Sequence, residues 1–564
     1  MKHLLLSILL LSISYSFGQT DWLFLQGDVK NDSGDGIVID SKGYIYVVGF
    51  FEDEVDFNPG SGVNIHQSVP GNYENVFIQK YTPDQTLIWV RTFGDGGGIS
   101  AIRDVVIDND DNIYIAGSFV WSPDFKPGPF SYNLTSQSSS DGFVAKYDNQ
   151  GDLIWAKGLQ GYDIQSVTDL AVDAENNVYF TGYFRGDVDL DPNIGTAIET
   201  IHPSTFYQGF NGFIGKWDSA GQFIWGGNYQ CEDCRGEEIE VNADGEIYLI
   251  GMFRGDLDVD IAPSATVISR NQTSIFVVKM DSLTNILWVK AIDGTDNGVD
   301  SYRTNSHTAT LDDSGNLYIG GSFSGHAFFG YGDTTYNYYS NGSNFDGFIQ
   351  KLNPSGNHLW TKVFGSIYSD YVSDIKTSSD GQLFATGSFR DSVLFNDSNP
   401  LSFAIAQGTD IYVMSWNQDG SFNWVETIGG TCNYGVGVAI VYDGNHSLYG
   451  TGVYRGPIEN VSGQIIYGNG DEDCIVFKTG GHLGIPVSES DVEFKVYPNP
   501  TTDWITIESS QNSIVKLYSI EGKLIKSFEV KGKSTIEVKG FESGVYNLQY
   551  TTDRQKGNVR LVIN

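Results

Sequence analysis

Two acidic segments are the first candidates for chemistry. Asp187-Val-Asp-Leu-Asp191 and Asp256-Leu-Asp-Val-Asp260 carry a carboxylate at every second residue, with Asp56 and Asn58 in the matching place of an earlier segment. In an extended chain, period two sets Asp187, Asp189 and Asp191 on one face, and likewise Asp256, Asp258 and Asp260. Hard oxygen ligands so arranged suit calcium, the one cofactor the sequence suggests. Against it, Pro192 stands where an EF-hand loop needs glycine, and no glutamate closes either set. A solvated acidic rim is the competing reading. Asp108-Asn-Asp-Asp-Asn112 reads as an Asx turn.

A second group is aromatic. Tyr331, Tyr336, Tyr338 and Tyr339 lie among Asn, Ser and Gly, a composition that offers amphipathic contact area at low entropy cost. Trp121, Phe130 and Tyr132, and further on Phe206, Tyr207 and Phe210, could stack sugars or pin their own loops. The predicted ligand contacts are the four loop tyrosines with Trp121 and Tyr207.

The cysteines Cys231, Cys234, Cys432 and Cys474 allow three pairings, of which Cys231 with Cys234 and Cys432 with Cys474 is preferred. A four-cysteine zinc site would need a second close pair. The chain carries no nucleophile elbow, metal-binding histidine pair or phosphate loop, and the histidines are scattered, so no catalytic residue is nominated. Paired carboxylates for glycoside hydrolysis are defined by spatial separation, which local spacing does not reveal. Arg185-Gly-Asp187 and Arg254-Gly-Asp256 arise where a repeat places glycine after a strand, and are not read as adhesion motifs.

These residues hang on a repeat. An aliphatic, an aromatic, two residues, glycine, one residue and an aromatic recur around Gly49, Gly117, Gly182, Gly251, Gly321, Gly387 and Gly452, at spacings of 65 to 70 residues. A second phrase ends in Lys80, Lys146, Lys216, Lys279, Lys351 and Lys478, with Ser415 standing in once; a third ends in tryptophan, as in Gly151-Asp-Leu-Ile-Trp155. Each repeat therefore holds four short strands, rich in β-branched and aromatic residues and punctuated by Asp, Asn and Gly. The first such tryptophan, Trp22, precedes any other strand, and none follows the last set near Lys478. The segment Asp21 to Gln26 is thus expected to complete the final blade and close a ring, removing the edge an open array would expose. The repeated tryptophans are expected to pack between blades. Long second-to-third connections mark one face as the binding face, while tight Asx-rich turns occupy the other.

The formal charge of −37 is confined to the repeats, since from Glu489 onward ten basic and ten acidic residues balance. Such an excess repels phosphates and anionic lipid heads; it excludes nucleic acid and leaves glycans, cations and basic proteins. The apolar stretch from Leu4 to Ser16 behind Lys2 is too short to span a bilayer and reads as a secretory signal over residues 1–18. No other long apolar run follows, so no transmembrane span is expected in the mature chain.

Segments such as Asp141-Gly-Phe-Val-Ala-Lys-Tyr-Asp-Asn-Gln-Gly-Asp-Leu-Ile-Trp155, Leu170-Ala-Val-Asp173 and Val178-Tyr-Phe-Thr-Gly182 resemble the SBBP-type β-propeller repeats of secreted bacterial proteins. The resemblance implies a propeller over residues 19–479 and brings no catalytic residues. A linker at 480–491 leads to alternating runs between 492 and 564 that suggest a small antiparallel, Ig-like β-sandwich. Its opening Tyr497-Pro498-Asn499-Pro500, the Gly522 turn, Gly544 and Tyr546 of Ser543-Gly-Val-Tyr546, and the closing strand resemble the type A sorting domain of the type IX secretion system. That resemblance implies type IX machinery as a partner and an extracellular or outer-membrane-surface location in a Bacteroidetes-like bacterium.

The expected fold is all-β: a seven-bladed β-propeller closed by an N-terminal strand, followed by the sorting sandwich. The expected function is binding of an extracellular glycan or protein. The alternatives are a polysaccharide-active hydrolase or lyase with carboxylates in the propeller funnel, and a structural surface protein.

Overall fold

The computed structural model describes residues 20–479, apart from loops at 28–29, 69–73, 95–97, 194–199, 202–208, 262–265, 295–303, 331–335, 342–343, 396–402, 430–433, 446, 460–464 and 469–471. In the tail it describes 494–563, apart from 498–503, 520–522, 542–543 and 553–555. The expected signal segment, the linker, Tyr207, Tyr331, Cys432, Pro498, Asn499, Pro500 and Gly522 lie outside the described residues.

Among the described residues there is no helix. Seven units of four antiparallel strands follow one another along residues 20–479. The first runs Ser33–Ile39, Ile45–Phe51, Asn75–Tyr81 and Leu87–Phe93, from the innermost strand to the outermost. Each innermost strand touches the next, and Tyr434–Tyr442 of the last unit touches Ser33–Ile39 of the first, so the units form a closed, propeller-like ring. The last unit takes its outermost strand from the other end of the chain: Thr20–Gln26 pairs with Asp473–Thr479, Leu23 opposite Phe477. Glu426, on the outer strand of the preceding unit, fastens this junction by accepting hydrogen bonds from the hydroxyls of Thr20 and Thr479.

Burial explains why the middle strands read as unbroken apolar runs. Ile45–Phe51 and Asn75–Tyr81 are buried at every position, because each sheet packs between two others. The apolar clusters straddle neighbours: one joins Val48 and Ile78 of the first unit to Ile115 and Phe143 of the second.

On the tight-turn face a polar clasp recurs. Lys146 Nζ lies 3.0 Å from Asp108 of the first turn and 4.7 Å from the Tyr114 ring centroid, and donates to the Ser219 carbonyl of the next unit. Trp155 Nε1 donates to the same carbonyl at 3.2 Å. Lys351, Asp312, Tyr318 and Trp360 repeat this arrangement on the Gln418 carbonyl. Gly221, at φ +74°, lets this turn lie against the Trp155 ring, which an added Cβ would meet at 3.2 Å. The sixth unit replaces the whole set together: Ser378, Phe384 and Ser415 stand where the others have Asp (Asn242 in the fourth), Tyr and Lys, and Ser415 bonds Gln382 instead.

In the tail, the alternating runs at 504–508 and 514–518 belong to one long strand, Trp504–Ser519, paired with a second, Leu524–Glu537. The irregular register between Ser509 and Ser513 bends them. Phe494–Tyr497 pairs with the first half, and Gly544–Thr552, followed by Lys556–Ile563, with the second. Ile505, Ile507, Val515, Leu517, Tyr546 and Leu548 form its buried core.

Candidate functional site

The innermost strands of all seven units line one cavity of about 1050 Å³. Each of these strands carries a one-residue bulge at the same height, as between Ile102 and Asp104, Val167 and Asp169, Gly236 and Glu238, and Val372 and Asp374. A bulge re-aims the side chains that follow it. Five of the re-aimed side chains bond the backbone of the next unit. Leu170 N donates to Asp104 (3.1 Å), Ile239 N to Asp169 (2.6 Å), Ala309 N to Glu238 (3.1 Å), Ile375 N to Thr308 (3.2 Å) and Ile440 N to Asp374 (2.9 Å). Gly36 and Ala439 fill the place in the remaining two units. Most funnel carboxylates are therefore staples of the ring.

The wall so formed is uneven. Val436, Val438, Ala439 and Val441 make the seventh unit's part apolar, while the first, second, third, fourth and sixth units present carboxyls. Burial raises the acids there: Asp35, Glu237 and Glu240 are each pushed up to about 7, and Asp104, Asp169 and Glu238 are also raised. Lys376, 3.0 Å from Asp374, is held above its ordinary value despite burial, by the charges of Asp374, Glu240 and Asp104.

The mouth opens on the long-connection face, where Asn344, Tyr368, Ser369, Tyr371, Ser388, Arg390, Thr409 and Tyr434 line the cavity. Tyr368 and Tyr434 are exposed, and the Arg390 guanidinium lies 4.5 Å over the Tyr368 ring. Asp370 anchors the loop that carries Tyr368, accepting hydrogen bonds from Ser366 N (2.6 Å) and Arg390 N (2.9 Å). Burial raises Asp370 to about 6 and its neighbour Asp346 to about 7. Asp346 Oδ1 is buried without a hydrogen-bond partner among the described residues.

The residues nominated from sequence lie elsewhere. Tyr336, Tyr338 and Tyr339 belong to a hairpin, His326–Phe328 with Asn337–Tyr339, that pairs with the outer strand of the preceding unit, and none lines the cavity. Tyr338 packs on Phe329 and donates to the Thr361 carbonyl; Tyr336 lies against His358; Tyr339 stacks on His326 at 4.1 Å and stays exposed. Trp121 is 57% exposed, also away from the cavity.

Among the described residues no three His, Cys, Asp or Glu side chains converge to hold a metal ion. Asp258 Oδ1 caps its own turn, accepting Asp260 N and Thr266 N, as Asp56 accepts Asn58 N and Asn64 N. Asp189 accepts Asp191 N, and Asp191 accepts Asn193 N. Backbone bonds from Asp189 N to the Gln160 carbonyl and from Asp258 N to the Gln230 carbonyl tie both segments to the preceding unit, while Asp187 and Asp256 lie on the hairpin flanks. Alternation thus serves a turn cap and a strand pairing.

Cys231 and Cys234 form a disulfide. Of the expected Cys432–Cys474 pair, Cys432 lies outside the described residues, and Cys474 is a free, buried thiol beside Thr451 Oγ1, its ionisation opposed by burial.

Sequence reasoning missed Arg103, Arg390, Tyr368, Tyr371 and Tyr434. The signal for the inner ring was present: aligning the first strands on their aliphatic residues sets Asp104, Asp169, Glu238, Thr308 and Asp374 in one column.

Comparison with known proteins bears mainly on the tail. A family profile described as "Secretion system C-terminal sorting domain" matches residues 495–564. An uncharacterized WD repeat-containing protein of Acanthamoeba polyphaga mimivirus is 21% identical over 485 residues, 72% of this chain and 34% of that protein. Regulatory protein FlaEY of Caulobacter vibrioides is 27% identical over 122 residues, 22% of this chain and 12% of that one. The chain thus spans about a third of the first of these relatives and less of the second. Among solved structures, a virginiamycin B lyase from Staphylococcus aureus aligns at 8% identity and TM-score 0.37, over 81% of this chain and 99% of its own. Synechocystis apocarotenoid oxygenase aligns at 9% and 0.35, over 92% and 97%. The tail is a secretion-system sorting domain, which directs the chain to the cell surface or the extracellular space. No described helix is long and apolar enough to cross a membrane.

Proposed function

We propose that this is a seven-bladed propeller of SBBP-type repeats, exported by the type IX system, that binds an extracellular glycan in its central cup without turning it over. The observation that carries the reading is the mouth. Tyr368, Tyr371 and Tyr434 stand with Asn344, Arg390 and Thr409 at the opening of a 1050 Å³ cavity that is apolar along the seventh unit. A few convergent polar groups in a largely preformed concavity are what small-ligand sites share, and tyrosine faces suit the C–H faces of sugars.

One observation favours an enzyme as the second reading. Asp35, Glu237 and Glu240 stand outside the interblade staples, and burial places each near 7, where a carboxylic acid can deliver a proton. A glycan array probed with the full exported chain, with product release followed on the same panel, separates the two. Selective retention without product is the expected result. Turnover of a retained glycan would establish the enzyme, and neither retention nor turnover would leave a structural surface protein.

A further inference from the structure

Two guanidinium groups at the cup have unused donors. Arg103 is the bulge residue of the second unit, and Arg390 stands just before a register shift in the second strand of the sixth; both line the cavity and both are exposed. Among the described residues neither guanidinium donates a hydrogen bond or forms an ion pair within 4 Å; Arg390 only lies over Tyr368. Arg103 is near enough to Asp35 and Glu237 for its charge to act on both, but in a chain of net charge −37 neither arginine is closed into an ion pair. At the position of Arg390 in the third unit, Arg185 grips Asp163 with Nε at 2.6 Å.

The surroundings of Arg390 also fit one chemistry. Tyr368, Tyr371 and Tyr434 line the same sector of the mouth, together with the polar side chains of Asn344, Ser369, Ser388 and Thr409. A planar guanidinium beside aromatic rings recognises a carboxylate in bidentate fashion while the rings hold the sugar. The acidic wall does not forbid an anion at the rim: Asp35, Glu237 and Glu240 keep protons up to about 7, and Lys376 and Arg103 offset part of the remaining charge.

Resting on the glycan reading above, we infer that the rim sector of Arg390 takes a carboxylate-bearing sugar residue, a uronic-acid type of unit, with Arg103 across the mouth engaging a second acidic group of the same chain.

The test uses the full exported chain and three oligosaccharide sets: oligogalacturonates, their methyl esters and amine-bearing glucosamine oligomers. The acidic set is expected to bind about tenfold more tightly than the ester, the loss of one charge-assisted contact, and the preference should weaken as salt rises. Arg390→Gln should abolish the preference and Arg103→Gln reduce it. Arg254→Gln, at the same repeat position but away from the cavity, should change nothing. Equal binding of acid and ester, or tighter binding of the amine set, overturns the inference and leaves the glycan reading standing. So does retention of other glycans with none of these three. No glycan retained at all means that the reading beneath it has failed.

Discussion

The two faces of the ring use similar residues in opposite ways. On the tight-turn face a lysine, an acid and a tyrosine recur, and Lys80, Lys146, Lys279 and Lys351 are each closed off by an acid, a ring and a carbonyl of the next unit. On the long-connection face the repeat loosens: Arg390 recurs as Arg185, Arg254 and Arg455, but Tyr371 in one unit corresponds to Ser33, Ala101, Ser166, Arg235 and Val436 in others. Where a side chain must hold a ring together, every unit needs it. Where it meets something outside the protein, one sector suffices, and symmetry is lost.

The sharpest way to break this comparison is to remove a clasp. Lys351→Ala leaves Asp312 buried with its charge unmatched and should cost about 3–5 kcal/mol of stability in denaturant unfolding. Ser415→Ala, at the same position of the unit that never had the clasp, should cost about 1 kcal/mol or less. Similar losses at the two sites would mean that the clasp does not hold the ring.

A smaller effect is expected at the inner staples. Thr308→Val keeps the shape but leaves Ile375 N without its acceptor, and a loss of about 1–2 kcal/mol is expected on the same measurement. Glycan retention should survive it, since the residue serves the ring.

The faces should also titrate in opposite senses. Asp108 and Asp312 lie below the ordinary carboxylate range: burial alone would raise them, but hydrogen bonds from Asn112 and Asn316 and the charges of Lys146 and Lys351 prevail. Their folded values lie below the unfolded one, so their contribution is present above about pH 4 and is lost as pH falls through the folded values. Asp346, Asp370, Asp35, Glu237 and Glu240 lie above it, so they favour the folded state below about pH 4, and that contribution is lost as pH rises through 6 to 7. The unfolding temperature should therefore peak in mildly acidic buffer. Asp346→Asn, which cannot ionise, should make the decline between pH 5 and 8 shallower. An unchanged decline would remove Asp346 as a contributor.

Much of the ring was legible because its cues are local and repeated. The Gly49-type phrase, the Lys80-type phrase and the displaced Trp22 together imply four-stranded units and a closing strand. The cup was not legible, for a physical reason. A bulge in every inner strand shifts the period-two pattern by one residue, so alternation no longer says that Asp104 or Arg103 faces the channel. Composition misled at Tyr336 and Tyr338, since an aromatic loop reads the same whether it meets a ligand or pins a hairpin to the outer strand of its own unit. The acidic alternation at Asp256 to Asp260 misled likewise: a turn-capping carboxylate and a metal ligand share residue type and spacing.

The most direct test of the central claim compares two double variants of the exported chain on the glycan array, Tyr371→Ala with Tyr434→Ala at the mouth and Trp121→Ala with Tyr339→Ala on the exposed hairpins. Loss of retention in the first with retention kept in the second is the predicted result. The reverse pattern would move the binding site out of the cup and onto the loops.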